Sequence, residues 1–590
     1  MQPRSLRLCS VALVLFMLPS LAAARQSAPD PYAREPFVAD RSDVVYVMNA
    51  DGTGYMQKTI AVKVQSESAL QQLGIVGMEF AANSQRVEFH YVRVRQPDGT
   101  VTETPISGAM EQPLQVTVQA PFYSDLKIEQ LPVKNLQVGD TLEWEVRVVL
   151  TKAEAPNEFW EAENFVTEGS VEKEESVELR VPSTKAVTVW TNPALGIQVK
   201  QLKSGDQTVY RWETSALKPT VGPEADADRE AKKKHLLTAA EELDEEQGKL
   251  PSVAWTTFPS WAAVGEWYRG MEGDRATPDD EIKAKVAELT AGKTTEEDKV
   301  RAIYDYVSTQ IRYIGVAFGV GRYQPHQAID VLHNQYGDCK DKATLLSAML
   351  AAASVPSDVA LIGAGVRFNE AVPSPASFNH LITHLKLNGQ GVWLDSTEEV
   401  APYRMMYAML RDREALVVPA AGTPALEKTP KDPPFASYQT WTAKGSLDAN
   451  GISDSQITLT ARGDEELLLR GIVRELGPAQ YDEFVQRMLG ALGYGGTETH
   501  ADISRPDDLN DPFKMSFDYH REKAGDWDNL KTVPQLAPVP LPAVDEKNPP
   551  TEALNLGTPR TETSTAEMKL PAGWTAELPE AVHEKSAYAT

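Results

Sequence analysis

At 590 residues the chain is too long for one hydrophobic core, and its length corresponds to roughly three or four domains. Apolar residues make up 42% and aromatics 8%, enough to build cores and to exclude disorder throughout. Against 58 lysines and arginines stand 84 acidic residues, a net charge of −26. Such a surface repels phosphate backbones, and no basic patch with interleaved aromatics offsets it, so nucleic acid is excluded as a partner.

In chain order, Arg4 and Arg7 precede an apolar run of eleven residues, Leu8 to Leu18, followed by Pro19, Ser20 and Ala22-Ala23-Ala24. A charged start, a short apolar stretch and small residues at a cut site read as a secretory signal peptide over residues 1–24, with the mature chain starting near Arg25. The run falls short of the ~20 residues that span a bilayer. No other segment is long and apolar enough, so no transmembrane anchor is expected and the protein is placed outside the cytoplasm, in the periplasm. Cys9 lacks the preceding small residues of a lipid-anchored cysteine and leaves with the signal. The mature chain then holds one thiol, Cys339, which has no internal disulfide partner.

Residues 25–221 are expected to form an antiparallel β-sandwich. Runs such as 44–47, 87–94 and 141–149 alternate or are β-branched, and Asp51-Gly52, Asp98-Gly99 and Gly139-Asp140 punctuate them. Residues 222–255 read as a charged linker, with Glu224 to His235 and Glu241 to Glu246 of low complexity. Helical spacing then appears at Trp261, Val264 and Tyr268 and again at Val300, Ile303, Tyr304, Val307 and Ile311, with Thr294 and Glu297 as a capping box. Core packing is the plainer reading of the aromatic group Trp255, Trp261, Trp267 and Tyr268. After residue 430, β signals return around an Asn450-Gly451 turn, a helical pair spans 464–492, and the last 60 residues are rich in Pro and Thr.

The segment Tyr336 to Leu350 carries the chemistry. Ala343, Leu346, Met349, Leu350 and Ala353 share a helical face that ends before Pro356. Gly337 breaks the preceding segment and Asp338 is a good N-cap with Asp341 three residues on, so Cys339 falls at the first helical position. Unpaired N–H groups and the positive helix end there favour a thiolate, and Lys340 and Lys342 add positive potential. The same N–H groups suit an oxyanion. Downstream, Phe378 to Leu387 and Gln390 to Asp395 flank Asn388-Gly389, a strong hairpin signal. Alternation puts His380, Ile382, His384 and Lys386 on one face, and a two-residue loop sets Asp395 on that face, diagonal to both histidines. A carboxylate beside an imidazole follows; which histidine it serves, His380 or His384, does not.

These residues resemble the transglutaminase-like superfamily, which has a papain-like fold. The resemblance lies in Gly337 to Leu346 at a helix start, Phe378-Asn379-His380 on a strand and Trp393-Leu394-Asp395 on the next, and covers about residues 256 to 425. It implies Cys339 as nucleophile, His380 as base and Asp395 as orienter, with separations of 41 and 15 residues. The match at Phe378-Asn379-His380 favours His380, leaving His384 as the alternative base. The whole arrangement also resembles bacterial envelope proteins with a β-rich domain before this module. Their chains often run further, so residues 430–590 are expected to be a C-terminal β-rich domain that is incomplete. The fold class implied is multidomain α+β.

Gln324, fifteen residues before Cys339, is a candidate to hold an oxyanion, with Asp338 as site support, although a surface loop is the plainer place for Gln324. His326 and His333 fit no zinc spacing, so no metal is expected, and no glycine pattern calls for a nucleotide cofactor. The implied activity is acyl transfer or hydrolysis at an amide bond of a protein or peptide in the cell envelope. A catalytically silent scaffold that keeps the fold is the rival.

Overall fold

The computed structural model describes residues 30–119, 125–166, 168–222, 225–227, 249–314, 323–523, 527–529 and 558–578, and the single residues 531, 533, 580, 581, 583 and 585. The expected signal peptide and most of the charged linker lie outside the described residues.

Alternation drives the N-terminal region. In Thr141–Leu150, Leu142, Val146 and Val148 are buried while the residues between them are more open. Eight such strands form a sheet in the order Lys200–Ser204, Gln207–Ala216, Glu172–Pro182, Phe37–Met48, Gly54–Val64, Thr141–Leu150, Gln85–Arg95 and Val101–Glu103. Phe37–Met48 and Glu172–Pro182 run parallel, so the expected antiparallel pattern fails at that ladder. The other edge of Phe37–Met48 is already taken by its hairpin partner, and the returning strand pairs with the edge that remains. A small sheet contributes Val76 and Leu131, which meet Phe89, Val92, Val94, Leu142 and Val146 of the large one.

A third sheet corrects the boundary of the linker. Val253–Thr256 pairs with Thr188–Thr191 on one side and Trp160–Glu163 on the other. All four of its residues are buried. Trp255 stacks on Trp212 at 6.0 Å and meets the Tyr46 ring edge-on at 4.9 Å. The linker therefore ends before residue 253, and the chain returns to the first core before leaving it. The aromatic group does pack in cores, but in two of them: Trp255 belongs to the first, and Trp261, Trp267 and Tyr268 to the next.

The central region is α+β. An antiparallel sheet in the order Gln390–Leu394, His380–Leu387, Ser357–Ile362, Glu414–Val418 and Ala425–Lys428 packs against the helix Cys339–Ala352. Helices Asp280–Leu289, Glu296–Gln310 and Ala328–Asn334 also pack on that helix. Every residue from Cys339 to Leu350 is consequently buried, where the sequence pattern predicts one apolar face. The cap of Glu296–Gln310 is Thr295, whose Oγ1 accepts from the Asp298 N–H at 3.0 Å, one residue later than the expected Thr294 and Glu297. Asn388 and Gly389 both have positive φ, as a tight hairpin turn requires, and Leu387 pairs with Gln390.

The C-terminal region is β-rich, with strands ordered Thr497–Ile503, Phe513–Arg521, Ser453–Arg462, Tyr438–Leu447 and Thr561–Lys569. Helices Asp464–Glu475 and Tyr481–Ala491 pack on its core. Arg411 of the central region holds both oxygens of Asp464, at 2.8 and 2.6 Å.

Trp255→Ala should cost about 3–5 kcal/mol, the usual range for deleting a buried aromatic ring. Chemical denaturation followed by circular dichroism should show that loss, and a smaller one for the half-buried Trp261→Ala.

Candidate active site

The site begins with how one helix starts inside the protein. Asp338 Oδ1 accepts from the Asp341 N–H at 3.2 Å, and Asp341 Oδ2 accepts from the Asp338 N–H at 3.4 Å, a reciprocal cap. Gly337 is required by space, since a Cβ there would lie 2.7 Å from that of Asp341. Cys339 is thus the first helical residue, 5% exposed.

Neither lysine beside Cys339 is a free positive charge. The Lys340 ammonium pairs with Asp338, both buried. Burial works against that ammonium, but Asp338, Asp341 and Cys339 raise its pKa above the ordinary value. Lys342 donates to the carbonyls of Ser308, at 3.2 Å, and Ile311. Burial lowers its pKa to about 8, against the opposing pull of Glu399 and Asp395. It closes the end of the Glu296–Gln310 helix, so the expected contribution of Lys342 to potential at the thiol is replaced by a capping role.

His380 opens its strand and is 8% exposed. Its Nε2 lies 3.0 Å from Asp395 Oδ2. Burial would lower its pKa, yet the Asp395 charge, the hydrogen bond to it and the neighbouring Cys339 raise it well above the usual value. Burial alone would likewise raise Asp395, but the His380 charge and bonds from His380 and Thr397 bring it below its ordinary range. Asp395 Oδ1 accepts from the Thr397 N–H at 3.0 Å and from its hydroxyl at 2.7 Å. His380 and Asp395 therefore form a buried hydrogen-bonded pair, with Cys339 near enough to contribute to the shift of the imidazole.

His384 is elsewhere. Its ring packs on Trp393 at 4.6 Å between centroids, with Asp358 at 3.8 Å and Glu427 at 4.0 Å. Asp395 lies beyond the last paired residue, Leu394, and turns its carboxylate to the strand's first histidine. Gln324 is exposed and lines a cavity with Trp267 and Tyr323. Asp338 is directed into the helix cap. His326, which fits no zinc spacing, holds Asp341: its N–H lies 2.8 Å and its Nδ1 3.1 Å from Oδ1. His333 pairs with Glu281 at 2.9 Å. Among the described residues no three His, Cys, Asp or Glu side chains converge as metal ligands do.

Several site neighbours carry no sequence signal. The Tyr304 hydroxyl donates to the carbonyls of Asp395 and Ala401, each at 3.1 Å. Burial, then the nearby Cys339 and Asp395, push the Tyr313 phenol up. Tyr313 is brought there by a two-residue bridge to Tyr336 and Gly337, too short to leave a periodic pattern. Burial and Asp395 raise Glu398 to about 7. Ala155, from the N-terminal domain, shares a buried cluster with Cys339, and Trp160 packs against it.

Residues 283–395 match the model of the transglutaminase-like superfamily, and residues 50–221 match that of a domain of unknown function with solved structure, DUF3857. A comparison with curated proteins finds no match. Among solved structures, a candidate protease of Parabacteroides distasonis is similar at TM-score 0.54 and 15% identity, over 83% of this chain and 94% of that one. A candidate cysteine protease of Cytophaga hutchinsonii gives TM-score 0.18 and 13% identity, over 41% of this chain and 71% of that one. An M1 zinc metallopeptidase of Deinococcus radiodurans gives 0.18 and 11%, over 30% and 39%. The first likeness shows a shared fold across the regions; the other two add nothing to it.

The shifts of His380 and Asp395 set a pH window. A raised histidine contributes stability below its unfolded pKa and loses it as pH climbs through the folded value; a lowered carboxyl contributes above its unfolded pKa and loses it as pH falls. Breaking a buried pair costs about 3–5 kcal/mol. The gap in denaturation midpoint between wild type and Asp395→Asn should therefore be widest between about pH 4 and 6.5, narrowing on either side.

Proposed function

We propose that this chain, whose central domain is transglutaminase-like, is a cysteine enzyme acting on amide bonds of a protein or peptide, with Cys339 as nucleophile. The single observation that carries the reading is the buried His380–Asp395 pair, bonded at 3.0 Å and coupled to Cys339 at the mouth of a helix. In the forward step His380 takes the thiol proton as the Cys339 sulfur forms a bond to the substrate carbonyl carbon, and the carbonyl oxygen takes the charge beside the helix's first N–H groups. The C–N bond then breaks, and His380 gives its proton to the departing amine. Asp395, fixed by Thr397, holds the imidazole in place throughout. Water as acceptor makes the reaction hydrolysis; an amine makes it acyl transfer. The site lies outside the cytoplasm in this reading, on the strength of Arg4, Arg7 and the Leu8–Leu18 run.

One observation favours a binding scaffold instead: the thiol is only 5% exposed and packs among aromatic side chains. Alkylation separates the two. With iodoacetamide at pH 6.5, Cys339 should react at least about tenfold faster in the wild type than in His380→Ala, because the imidazolium stabilises the attacking thiolate. Equal, slow rates in both would leave the scaffold. Export is read independently by cell fractionation, with a mature N-terminus near Arg25 expected in the envelope fraction.

A further inference from the structure

Between Asp395 and Arg411 the chain runs along one helix of the C-terminal domain, Asp464–Glu475. Arg411 holds the Asp464 carboxylate at 2.8 and 2.6 Å. Leu467 is fully buried in a cluster with Ala401 and Met405. Arg474 pairs with Glu399, whose side chain is only 14% exposed. Spacings of three and seven residues put Asp464, Leu467 and Arg474 on one helix face, so these contacts form a single seam.

Glu399 ties this seam to the site. It lies four residues after Asp395, and its Oε1 accepts from the Tyr313 N–H at 2.5 Å. Tyr313 pairs with Gly337, two residues before Cys339, and the Ile314 N–H donates to the Gly337 carbonyl at 3.0 Å. The catalytic helix grips the same stretch, since Lys342 donates to the carbonyls of Ser308 and Ile311. Burial lowers the Lys342 pKa; Glu399 is the first charge to oppose that, and Arg474 acts the other way. Ion pairs in water contribute little, but Glu399 is mostly buried and also holds a main-chain N–H. Removing Arg474 leaves that carboxylate with less compensation, which a buried charge tolerates poorly.

We propose that the C-terminal domain is part of the catalytic unit, and that Arg474 and Glu399 are positioning residues that hold the turn after Asp395 and the Tyr313 strand against the start of the catalytic helix. Linked domains move relative to one another unless their interface fixes them. Here Leu467 and the two ion pairs do so, on the backbone that follows Asp395. Loosening the seam lets the Asp395 carboxylate drift from His380. The imidazole then holds its proton less firmly, and a thiolate beside it loses its counter-charge. The proposal rests on Cys339 as nucleophile and names what keeps its partners in place.

The test follows alkylation of Cys339 by iodoacetamide across pH in the full chain. Arg474→Ala and Glu399→Gln should each slow the reaction at pH 6.5 about fivefold and move the rate profile to higher pH. The double variant should lose no more than either single one, because both break the same link. Arg474→Lys, which keeps the charge, should recover most of the rate. Arg487→Ala, whose partner Glu483 lies 3.9 Å away on the helix Tyr481–Ala491, should change nothing. Should Glu399→Gln fail to fold, Arg474→Ala against Arg474→Lys carries the same expectation, at a side chain that is 31% exposed. A profile unmoved by Arg474→Ala, losses that multiply in the double variant, or equal slowing by Arg487→Ala would overturn the proposal. A wild type that depends on His380 but ignores Arg474 sinks the positioning role alone; a wild type indifferent to His380 sinks the nucleophile with it.

Discussion

A helix enclosed on all sides must satisfy the polar groups of its first turn from within, and the rest of the site depends on how Cys339–Ala352 does so. Four N–H groups at a helix start have no intrahelical partner, and leaving them unpaired in a core costs more than a bond is worth. Asp338 and Asp341 answer each other across the cap, Lys340 neutralises Asp338, and His326 neutralises Asp341. Every charge of that turn is paired locally, and Cys339 shares its buried cluster with Val359, Leu361 and Leu381 of the sheet. His380 is close enough for Cys339 to help raise its pKa.

The sheet supplies the second half of the site by register. His380 is the first residue of its strand and Asp395 the first after the neighbouring strand ends. Both sit at one end of the ladder, where the backbone stops pairing and side chains can turn toward the helix. Tyr304 and Thr397 fix Asp395 from the helix side and from the following loop. The N-terminal domain closes the remaining side through Ala155 and Trp160, whose ring lies 5.6 Å from Trp267 and 6.3 Å from Tyr323. The transglutaminase-like module thus borrows part of its wall from a different domain.

Much of this was legible because it is local. Gly337, Asp338 and Asp341 announce a capped helix in a stretch of five residues, and Asn388-Gly389 fixes a hairpin register from which the place of Asp395 follows. What escaped is what distance in sequence conceals. Alternation alone could not separate His380 from His384, because both share a face; the end of the strand separates them. Val253–Thr256 read as the tail of a linker, because its partners Trp160–Glu163 and Thr188–Thr191 are more than sixty residues upstream. Lys342 read as an attractive charge near a thiol and is a cap on another helix, and His326, which the spacing set aside as a metal ligand without giving it a role, is the partner of Asp341. In each case the residue's own chemistry was right and its neighbour was not visible.

The most direct measurement is intact-mass spectrometry of the full chain after brief exposure to p-nitrophenyl acetate at neutral pH, with the modified residue mapped by peptide digestion. A poised sulfur predicts one acetyl group on Cys339, formed in the wild type and largely absent in His380→Ala. Acetylation confined to surface lysines, or an adduct on Cys339 that forms equally fast without His380, would contradict a nucleophile activated by its neighbours.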